Sequence, residues 1–228
     1  MPIEVFSGNS MRAALSELAP QFRRETGLDY AVQYDPGKVL LRRIGQGETA
    51  DVILAGEDVV DELVGRQVVV GASRRPLVRN GIGLAVRRGT PRPDIGTRAA
   101  FIEALHRTPS IAYTSEGASG MYFNALIERL GIGDEIRAKA HTQSGGLVGE
   151  LIVAGKADMA IQQMPELLAV PGIDVVGPLP DELQKVGTTV AGIFTASPVP
   201  EQAARLITFL SSAAARPVLS AKGFDPVQ

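Results

Sequence analysis

The sequence predicts an α/β protein built from two lobes that are joined by two strands. Short apolar strands alternate along the chain with amphipathic helices, a pattern typical of α/β folds with a mainly parallel sheet. The 228 residues suffice for one large domain or two small ones. A turn-rich segment at 87–93, composed largely of Arg, Gly and Pro, separates a first series of strands and helices from a second.

Eight strands are predicted from short runs that are apolar or that alternate between apolar and polar residues. Turn-forming residues such as Gly, Pro, Asn and Asp bound these runs. The predicted strands are Ile3–Ser7, Asp29–Tyr34, Asp51–Ala55, Gly81–Arg87, Ser110–Tyr113, Met159–Gln163, Asp174–Val176 and Thr188–Thr195.

The first predicted helix follows the first strand. Apolar residues recur from Met11 to Phe22 at the spacing of one helical face. Ser10 stands where an N-cap is expected, and Gly27 stands where the helix should stop. Pro20 conflicts with this pattern and predicts a kink or a break, because an interior proline removes a helical hydrogen bond. Similar periodicity predicts further helices over 97–105, 122–130 and 203–210.

Two predicted strands without partners of their own divide the chain into lobes. Residues 1–80 and 196–228 together form the first lobe, which is therefore discontinuous. Residues 84–187 form the second lobe. The hinge strands, at about 81–87 and 188–195, carry the chain into the second lobe and back.

Composition and charge limit the classes of function. Hydrophobic residues make up 45% of the chain and charged residues 21%, which is ordinary for a globular protein with a buried core. The formal net charge of -2 argues against binding to nucleic acid or to a membrane surface. Cysteine is absent, which excludes disulfides, thiol catalysis and Cys-based metal sites. No leader precedes Ile3, so we expect a periplasmic protein that lacks its leader or, if the protein is leaderless, a cytoplasmic one.

Four segments share one composition, in which the end of a strand is followed by small or polar residues and then by a helix. A helix N-terminus leaves free backbone N–H groups and carries a partial positive charge, so it favours an anion. Ligands of open α/β sheets lie outside the carboxyl ends of the strands, where these segments fall. Taken together they predict an anion site, although each alone is explained by an ordinary cap or turn. The segments are 7–10, 35–38, 114–120 and 142–146.

Three stretches of the sequence resemble periplasmic molybdate-binding proteins, namely 5–15, 40–52 and 155–161. The resemblance extends in order over nearly the whole chain, and 44–52 is its most specific part. It implies a periplasmic-binding-protein-like (type II) fold in which two lobes and two hinge strands enclose a ligand cleft. It also implies the solute-binding component of an ABC importer. Such a protein is a monomer without cofactor or metal, and its partners are a small anion and the membrane subunits of the transporter.

The resemblance assigns ligand contacts unevenly. The serine of the family's first loop matches Ser10. The serine of its second loop falls at Gly37, where a hydroxyl donor is lost. The third and fourth contacts fall near Ser119 and Gly145, and the tyrosine of the family falls on Gln163. Two of the five positions thus depart from the family in their side chains.

Further residues of these loops are candidate ligand contacts. Asn9 belongs to the first loop and Lys38 to the second, while Tyr122 follows the third. Lys38, Arg12, Tyr122 and two glutamines suit an anion that carries several carboxylates, since cationic groups pair with each carboxylate. The glutamines, Gln162 and Gln163, alternate on a predicted strand, so at most one of them faces a cleft. Both cations are more simply explained as solvated helix residues. Glu116 would repel a simple oxyanion, bind a hydroxyl or cation of the ligand, or point away. The ligand expected is therefore a molybdate-like oxyanion or an organic polycarboxylate.

Two other classes of function stay open. An enzyme needs a positioned base, and the two histidines, His106 and His141, are better explained by structural roles. No catalytic residue is therefore predicted, and neither phosphate-binding nor dinucleotide-binding glycine motifs are complete. The alternative of a cytoplasmic small-molecule sensor or carrier domain of the same fold also stays open. The sequence contains no recognisable helix-turn-helix segment, which argues against direct DNA binding.

Overall fold

The structure is a computed structural model that describes residues 1–227. The chain forms two compact units. One unit comprises Met1–Asn80 and the chain from Gly187 onward, and the other comprises Gly81–Val186. Within residues 1–227, no helix combines the length and the apolar character that crossing a membrane requires.

The strands are β1 Ile3–Ser7, β2 Tyr30–Tyr34, β3 Val52–Gly56, β4 Arg75–Asn80, β5 Ile82–Arg87, β6 Ile111–Thr114, β7 Ala140–Gln143, β8 Met159–Gln163, β9 Ile173–Pro178, β10 Gly187–Ile193 and β11 Asp225–Pro226. The helices are α1 Arg12–Thr26, α2 Gly37–Gly45, α3 Glu57–Gly65, α4 Arg98–Arg107, α5 Ala118–Arg129, α6 Gly133–Ala138, α7 Gly149–Val153, α8 Met164–Leu168, α9 Pro200–Leu210 and α10 Arg216–Ala221. Short 3-10 turns lie at Asn9–Met11, Gly71–Ser73 and Asp181–Leu183.

Each unit is built around one mixed sheet. The first unit has the strand order β11-β4-β10-β3-β1-β2, in which β1 is parallel to β2 and β3, whereas β10 and β11 run antiparallel to their neighbours. The second has the order β7-β6-β8-β5-β9, in which β6 is parallel to β7 and β8, whereas β5 is antiparallel to β8 and β9. The expectation of mainly parallel sheets is therefore wrong. The strands predicted as hinges, β5 and β10, enter their sheets in the opposite direction.

Helices cover both faces of each sheet, and each face has its own apolar core. In the first unit, α1, α9 and α10 pack on one face, while α2 and α3 pack on the other. In the second unit, α4, α5 and α6 cover one face, while α7 and α8 cover the other. Burying each large apolar side chain contributes about 1.5–3 kcal/mol. The largest side chains that are fully buried include Phe6, Phe22, Phe101, Phe123 and Phe194.

The first helix corrects two predictions and confirms one. Pro20 does not break α1, which continues through it from Arg12 to Thr26. Pro20 is exposed, so the carbonyl that loses its partner can bind water instead. Ser10 is not the N-cap, because it lies within a 3-10 turn that precedes the helix. Gly27 ends the helix as predicted, with a positive φ of 71° and its N–H bonded to the Arg23 carbonyl.

Three strands were missed because their sequences lack apolar alternation. β4 contains Pro76 and three charged or polar residues in its six positions, and β7 reads Ala-His-Thr-Gln. β11 is only two residues long. β7 and β11 lie at sheet edges, where tertiary pairing rather than intrinsic preference decides the conformation.

Candidate functional site

In the first unit, the two predicted ligand loops lie side by side at the carboxyl ends of parallel strands. β1 pairs with β2 in a register that sets Ser7 opposite Tyr34. The N–H of Asp35 continues this pairing by donating to the Ser7 carbonyl at 3.1 Å. The N–H of Gly8 donates to the Leu54 carbonyl of β3 at 2.8 Å. The topology thus joins the loops at the sheet edge where α/β proteins bind ligands.

The first loop presents Asn9 and Ser10 through a 3-10 turn. Ser10 is 8% exposed and Asn9 is half-buried. None of the hydrogen bonds described for residues 1–227 uses the Ser10 hydroxyl. The Arg12 guanidinium lies 4.1 Å from the centre of the Tyr34 ring, and its Nη2 lies 3.5 Å from Asn9 Oδ1. Burial raises the pKa of the Tyr34 hydroxyl, so it stays neutral. The loop therefore combines neutral donors with a neighbouring cation.

The second loop leads directly into α2. The helix begins at Gly37 after Pro36, which has no side chain able to cap it. The N–H groups of Val39 and Leu40 both donate to the Pro36 carbonyl. By helical geometry, the N–H groups of Gly37 and Lys38 precede the first intrahelical bonds. Lys38 is exposed, so this helix start adds an exposed ammonium group to its backbone donors.

Gly37 is a glycine because the space beside it is filled. A Cβ at this position would lie 2.8 Å from Val59 Cγ2 of α3. Real Cβ atoms essentially never make so short a contact, so a serine here would require Val59 to move. The packing of Val59 on α3 therefore accounts for the absence of a hydroxyl-bearing side chain at position 37.

An arginine on α2 holds the start of the second loop. Arg43 Nη1 lies 2.5 Å from Asp35 Oδ2, and Arg43 Nη2 lies 2.6 Å from Glu48 Oε2 and 2.5 Å from Gln33 Oε1. The guanidinium also lies 4.8 Å from the centre of the Phe6 ring. Hydrogen bonds from Arg43 lower the pKa of Glu48. Asp35 is thus occupied with Arg43, which favours a structural role for this carboxylate over ligand binding.

The second unit repeats the arrangement of the first. β6 and β7 are parallel, and Thr114 stands opposite Gln143 at their carboxyl ends. The Ser115 N–H donates to the Gln143 carbonyl at 2.8 Å, so the third and fourth loops are also neighbours. A Cβ at Gly120 would lie 1.7 Å from the Thr114 carbonyl oxygen. Only glycine lets the first turn of α5 approach the end of β6 so closely.

The third loop ends in α5, a helix of 12 residues. Its N-cap, Gly117, has no side chain to occupy the free N–H groups of the first turn. By contrast, the Thr97 side chain caps the start of α4. Ser119 in the first turn is 3% exposed, and Glu116 just before it is half-buried. The helix start thus combines backbone donors with one nearby carboxyl group.

The fourth loop is stabilised by Gln162, one of the two glutamines predicted to suit a ligand with several carboxylates. Gln162 of β8 is 0% exposed. Its Oε1 accepts from the Val148 N–H at 3.0 Å, and its Nε2 donates to the Gly146 carbonyl at 2.7 Å. Gly145 is half-buried in the same loop, and Gly146 has a φ of 84° that favours glycine. Strand alternation predicted that at most one of the two neighbouring glutamines faces a cleft, without indicating the role of the other.

Gln163 ends β8 at the same edge as the third and fourth loops, since β8 is parallel to β6. It is half-buried and serves as the N-cap residue of α8. Its backbone and the Gln162 side chain both hydrogen-bond the carboxyl group of Glu166. Burial nevertheless raises the pKa of Glu166 to about 8, so this acid is protonated at neutral pH. It was missed because nothing in the sequence marks a first-turn glutamate as buried.

Tyr122 has a partner within its own unit. Its hydroxyl donates to the Leu183 carbonyl at 2.9 Å. Two cations, Arg129 and Lys185, lie 5.4 and 5.6 Å from the centre of its ring. The ring also packs against the apolar core beneath α5. These contacts favour a structural role over the predicted ligand contact.

Neither histidine belongs to one of the four loops. His106 lies in the last turn of α4, where its Nδ1 is 2.7 Å from Glu135 Oε2. His141 lies within β7 and is exposed. Among the residues that the structure describes, no group of three or more His, Asp or Glu side chains is placed to hold a metal ion.

Comparison with known proteins places this geometry in context. The family model described as "Bacterial extracellular solute-binding protein" matches residues 3–225. A Pseudomonas protein named aconitate isomerase is 34% identical over 231 aligned residues, which cover 99% of this chain and 88% of that protein. The molybdate-binding protein ModA of Escherichia coli strain K12 is 23% identical over 190 residues, covering 80% of this chain and 73% of that protein.

A solved structure supports the same fold. The periplasmic molybdate-binding protein of Azotobacter vinelandii superimposes with a TM-score of 0.83 at 16% sequence identity. The match covers 99% of this chain and 100% of that chain. At this identity, the likeness bears on the fold and not on the ligand.

Proposed function

Because the chain belongs to the family of bacterial extracellular solute-binding proteins, we propose that it captures a small anion with several carboxylates for an ABC importer. Its partners would be the membrane subunits of that transporter, and the protein would act outside the cytoplasm. One observation carries the proposal. In each unit, two neighbouring loops end parallel strands and start helices. Among these helices are α2 and α5, whose N-cap residues, Pro36 and Gly117, make no side-chain capping hydrogen bond.

An anion fits these loops for a physical reason. Taking a carboxylate out of water is costly unless several donors replace its hydration shell. Hydrogen bonds to a charged acceptor are about twice as strong as those between neutral groups. Backbone N–H groups at a helix start are fixed in place and lie in the favourable field of the helix.

Two observations favour a polycarboxylate over a tetrahedral oxyanion. First, Val59 fills the space that a hydroxyl-bearing side chain at Gly37 would need, and cations at Arg12 and Lys38 accompany the loops instead. Second, the relative named for a tricarboxylate, aconitate, is 34% identical, against 23% for the molybdate-binding protein of Escherichia coli. A cation pairs with one carboxylate, so two cations support a ligand with more than one.

A ligand panel tests the proposal. The purified protein is screened by thermal shift with citrate, cis- and trans-aconitate, molybdate, tungstate, sulfate and phosphate. A ligand at 100 times its dissociation constant adds about 2.7 kcal/mol, which raises the melting temperature by several degrees. We expect a shift with a tricarboxylate and none with the inorganic anions. A shift confined to molybdate and tungstate would refute the proposed ligand class, and no shift with any compound would refute the anion site.

Single substitutions then test each unit separately. Ser10→Ala removes the hydroxyl from the first loop, and Lys38→Ala removes the cation from the second. Loss of one charge-assisted hydrogen bond should weaken binding about ten- to a hundred-fold. Ser119→Ala is the corresponding change in the second unit. Ser220→Ala, at an exposed position of α10, is the matched control and should leave the dissociation constant unchanged.

A second candidate function is isomerisation of the bound acid, which the 34% identity to an aconitate isomerase favours. Such a reaction needs a group that removes a proton from carbon and returns one to another carbon. Glu116 is the carboxyl group of the third loop and is half-buried beside the start of α5. Proton NMR of cis-aconitate with the wild-type protein would reveal turnover. Activity that Glu116→Gln abolishes would support the enzyme, and binding without turnover would support a carrier.

A further inference from the structure

A buried amide in β8 needs an explanation. Met159, Ala160 and Ile161 precede Gln162 in a strand whose residues are buried up to that point. Burying an amide costs free energy unless both of its ends are hydrogen-bonded, and an apolar side chain of similar size would avoid that cost. A glutamine at this position therefore indicates a specific use for its two ends.

The two ends of Gln162 close a backbone turn. Oε1 accepts from the Val148 N–H and Nε2 donates to the Gly146 carbonyl. The amide thus bonds one backbone donor and one backbone acceptor of the fourth loop, as a backbone segment paired with the loop would do. Gly146 turns the chain with its positive φ of 84°. At the end of the loop, Gly149 packs closely against Ile173, since a Cβ at position 149 would lie 2.9 Å from Ile173 Cδ1. The loop is thus held from both sides.

The two backbone partners fix which way the amide points, since one is a donor (the Val148 N–H) and the other an acceptor (the Gly146 carbonyl). If the amide were reversed, its oxygen would face the Gly146 carbonyl and its nitrogen the Val148 N–H, so both contacts would become repulsive. The orientation of Gln162 is therefore determined at both ends of its amide.

We propose that Gln162 is a positioning residue that holds the 144–148 loop in the conformation used for ligand binding. This inference rests on the proposed function, because it assigns the loop to the anion site. Gln162 itself does not contact the ligand. It acts by fixing the direction of the backbone around Gly145 and Gly146.

Gln184 supplies a matched control within the same unit. Its Oε1 accepts from the Ile82 N–H at 2.8 Å, and its Nε2 donates to the Ile82 carbonyl at 2.9 Å. Gln162→Met removes two side-chain hydrogen bonds to the backbone, and Gln184→Met removes four, because Gln184 also bonds the Leu179 carbonyl and the Lys185 N–H. Both substitutions preserve side-chain length. Both should lower stability, but only the first should affect the 144–148 loop.

Hydrogen exchange without ligand tests the structural part of the proposal. In Gln162→Met, the Val148 amide and its neighbours in the loop should exchange about ten-fold faster or more, as expected for the loss of one to two hydrogen bonds. The 115–119 loop should keep its wild-type exchange rates. In Gln184→Met, exchange in the 144–148 loop should not change. Unchanged exchange in Gln162→Met would overturn the proposal, whatever the ligand is.

Citrate binding by calorimetry tests the functional part. Gln162→Met should bind citrate about ten-fold more weakly than the wild type, while Gln184→Met binds it with wild-type affinity. Faster loop exchange with unchanged citrate affinity would overturn the assignment of the loop to the site. Should the wild type bind none of the panel anions, the proposed function fails, and the exchange experiment still decides whether Gln162 holds the loop.

Discussion

The contact between Gly37 and Val59 leads to a prediction that a double-mutant cycle can measure. Gly37→Ala places a Cβ 2.8 Å from Val59 Cγ2, against the 3.5–4.0 Å of an ordinary carbon–carbon contact. One of the two groups must therefore move by roughly an ångström, and overpacking of this kind costs about 1–3 kcal/mol. Because alanine otherwise favours a helix over glycine by about 1 kcal/mol, a net loss of stability would itself indicate the clash.

Removing the obstacle should reverse the effect. In a Val59→Ala background, the methyl group at position 37 would enter the space that Val59 vacates. Gly37→Ala should then be neutral or stabilising, which gives a coupling energy of about 1–3 kcal/mol between the two substitutions. Urea unfolding of the four proteins, at equal m-values, supplies the free energies of unfolding.

Gly45 at the end of the same helix is the control. A Cβ there would meet only Arg66 Nη2, at 3.9 Å. Gly45→Ala should therefore be tolerated in both backgrounds, with no coupling to Val59→Ala. Strictly additive effects of Gly37→Ala and Val59→Ala would refute the explanation given for the glycine in the second ligand loop.

Three further predictions concern the remaining contacts. Gly120→Ala should prevent stable folding of the second unit, as measured by circular dichroism and urea unfolding, because its methyl group would overlap the end of β6. Tyr122→Phe should lower stability by about 0.5–1.5 kcal/mol through the lost hydrogen bond to Leu183. The ligand affinity measured by calorimetry should not change. Weaker binding would show that Tyr122 contributes to the ligand site. Burial raises the pKa of Glu166 from 4.5 to about 8. Between these pH values the folded state therefore binds more protons than the unfolded state. The contribution of Glu166 to the free energy of unfolding should then decrease as the pH rises from 4.5 to 8. Glu166→Gln should flatten that dependence in urea unfolding at several pH values, and an unchanged pH profile would contradict the assigned protonation.

Much of the architecture could be predicted because it depends on local pattern. The strands with apolar runs and the glycine stop of α1 were all indicated by the sequence and are confirmed. The resemblance to periplasmic molybdate-binding proteins is likewise confirmed by the family match and by the superposition over nearly the whole chain. β4 and β7 could not be predicted in this way, because their residues are held in sheets by neighbours distant in sequence.

The contacts that hold the candidate site together could not be predicted from local sequence pattern. Strand alternation separates Gln162 from Gln163, since successive side chains point to opposite faces of a sheet, but it does not state which face is turned to a loop. The answer depends on the 144–148 loop, which comes before β8 in the chain and reaches Gln162 only through the parallel placement of β7, β6 and β8. The same holds for Gly37, whose meaning lies in Val59 on a different helix. Loop composition therefore predicts where an anion would bind, whereas the side chains that hold those loops in place become visible only when the sheet order is known.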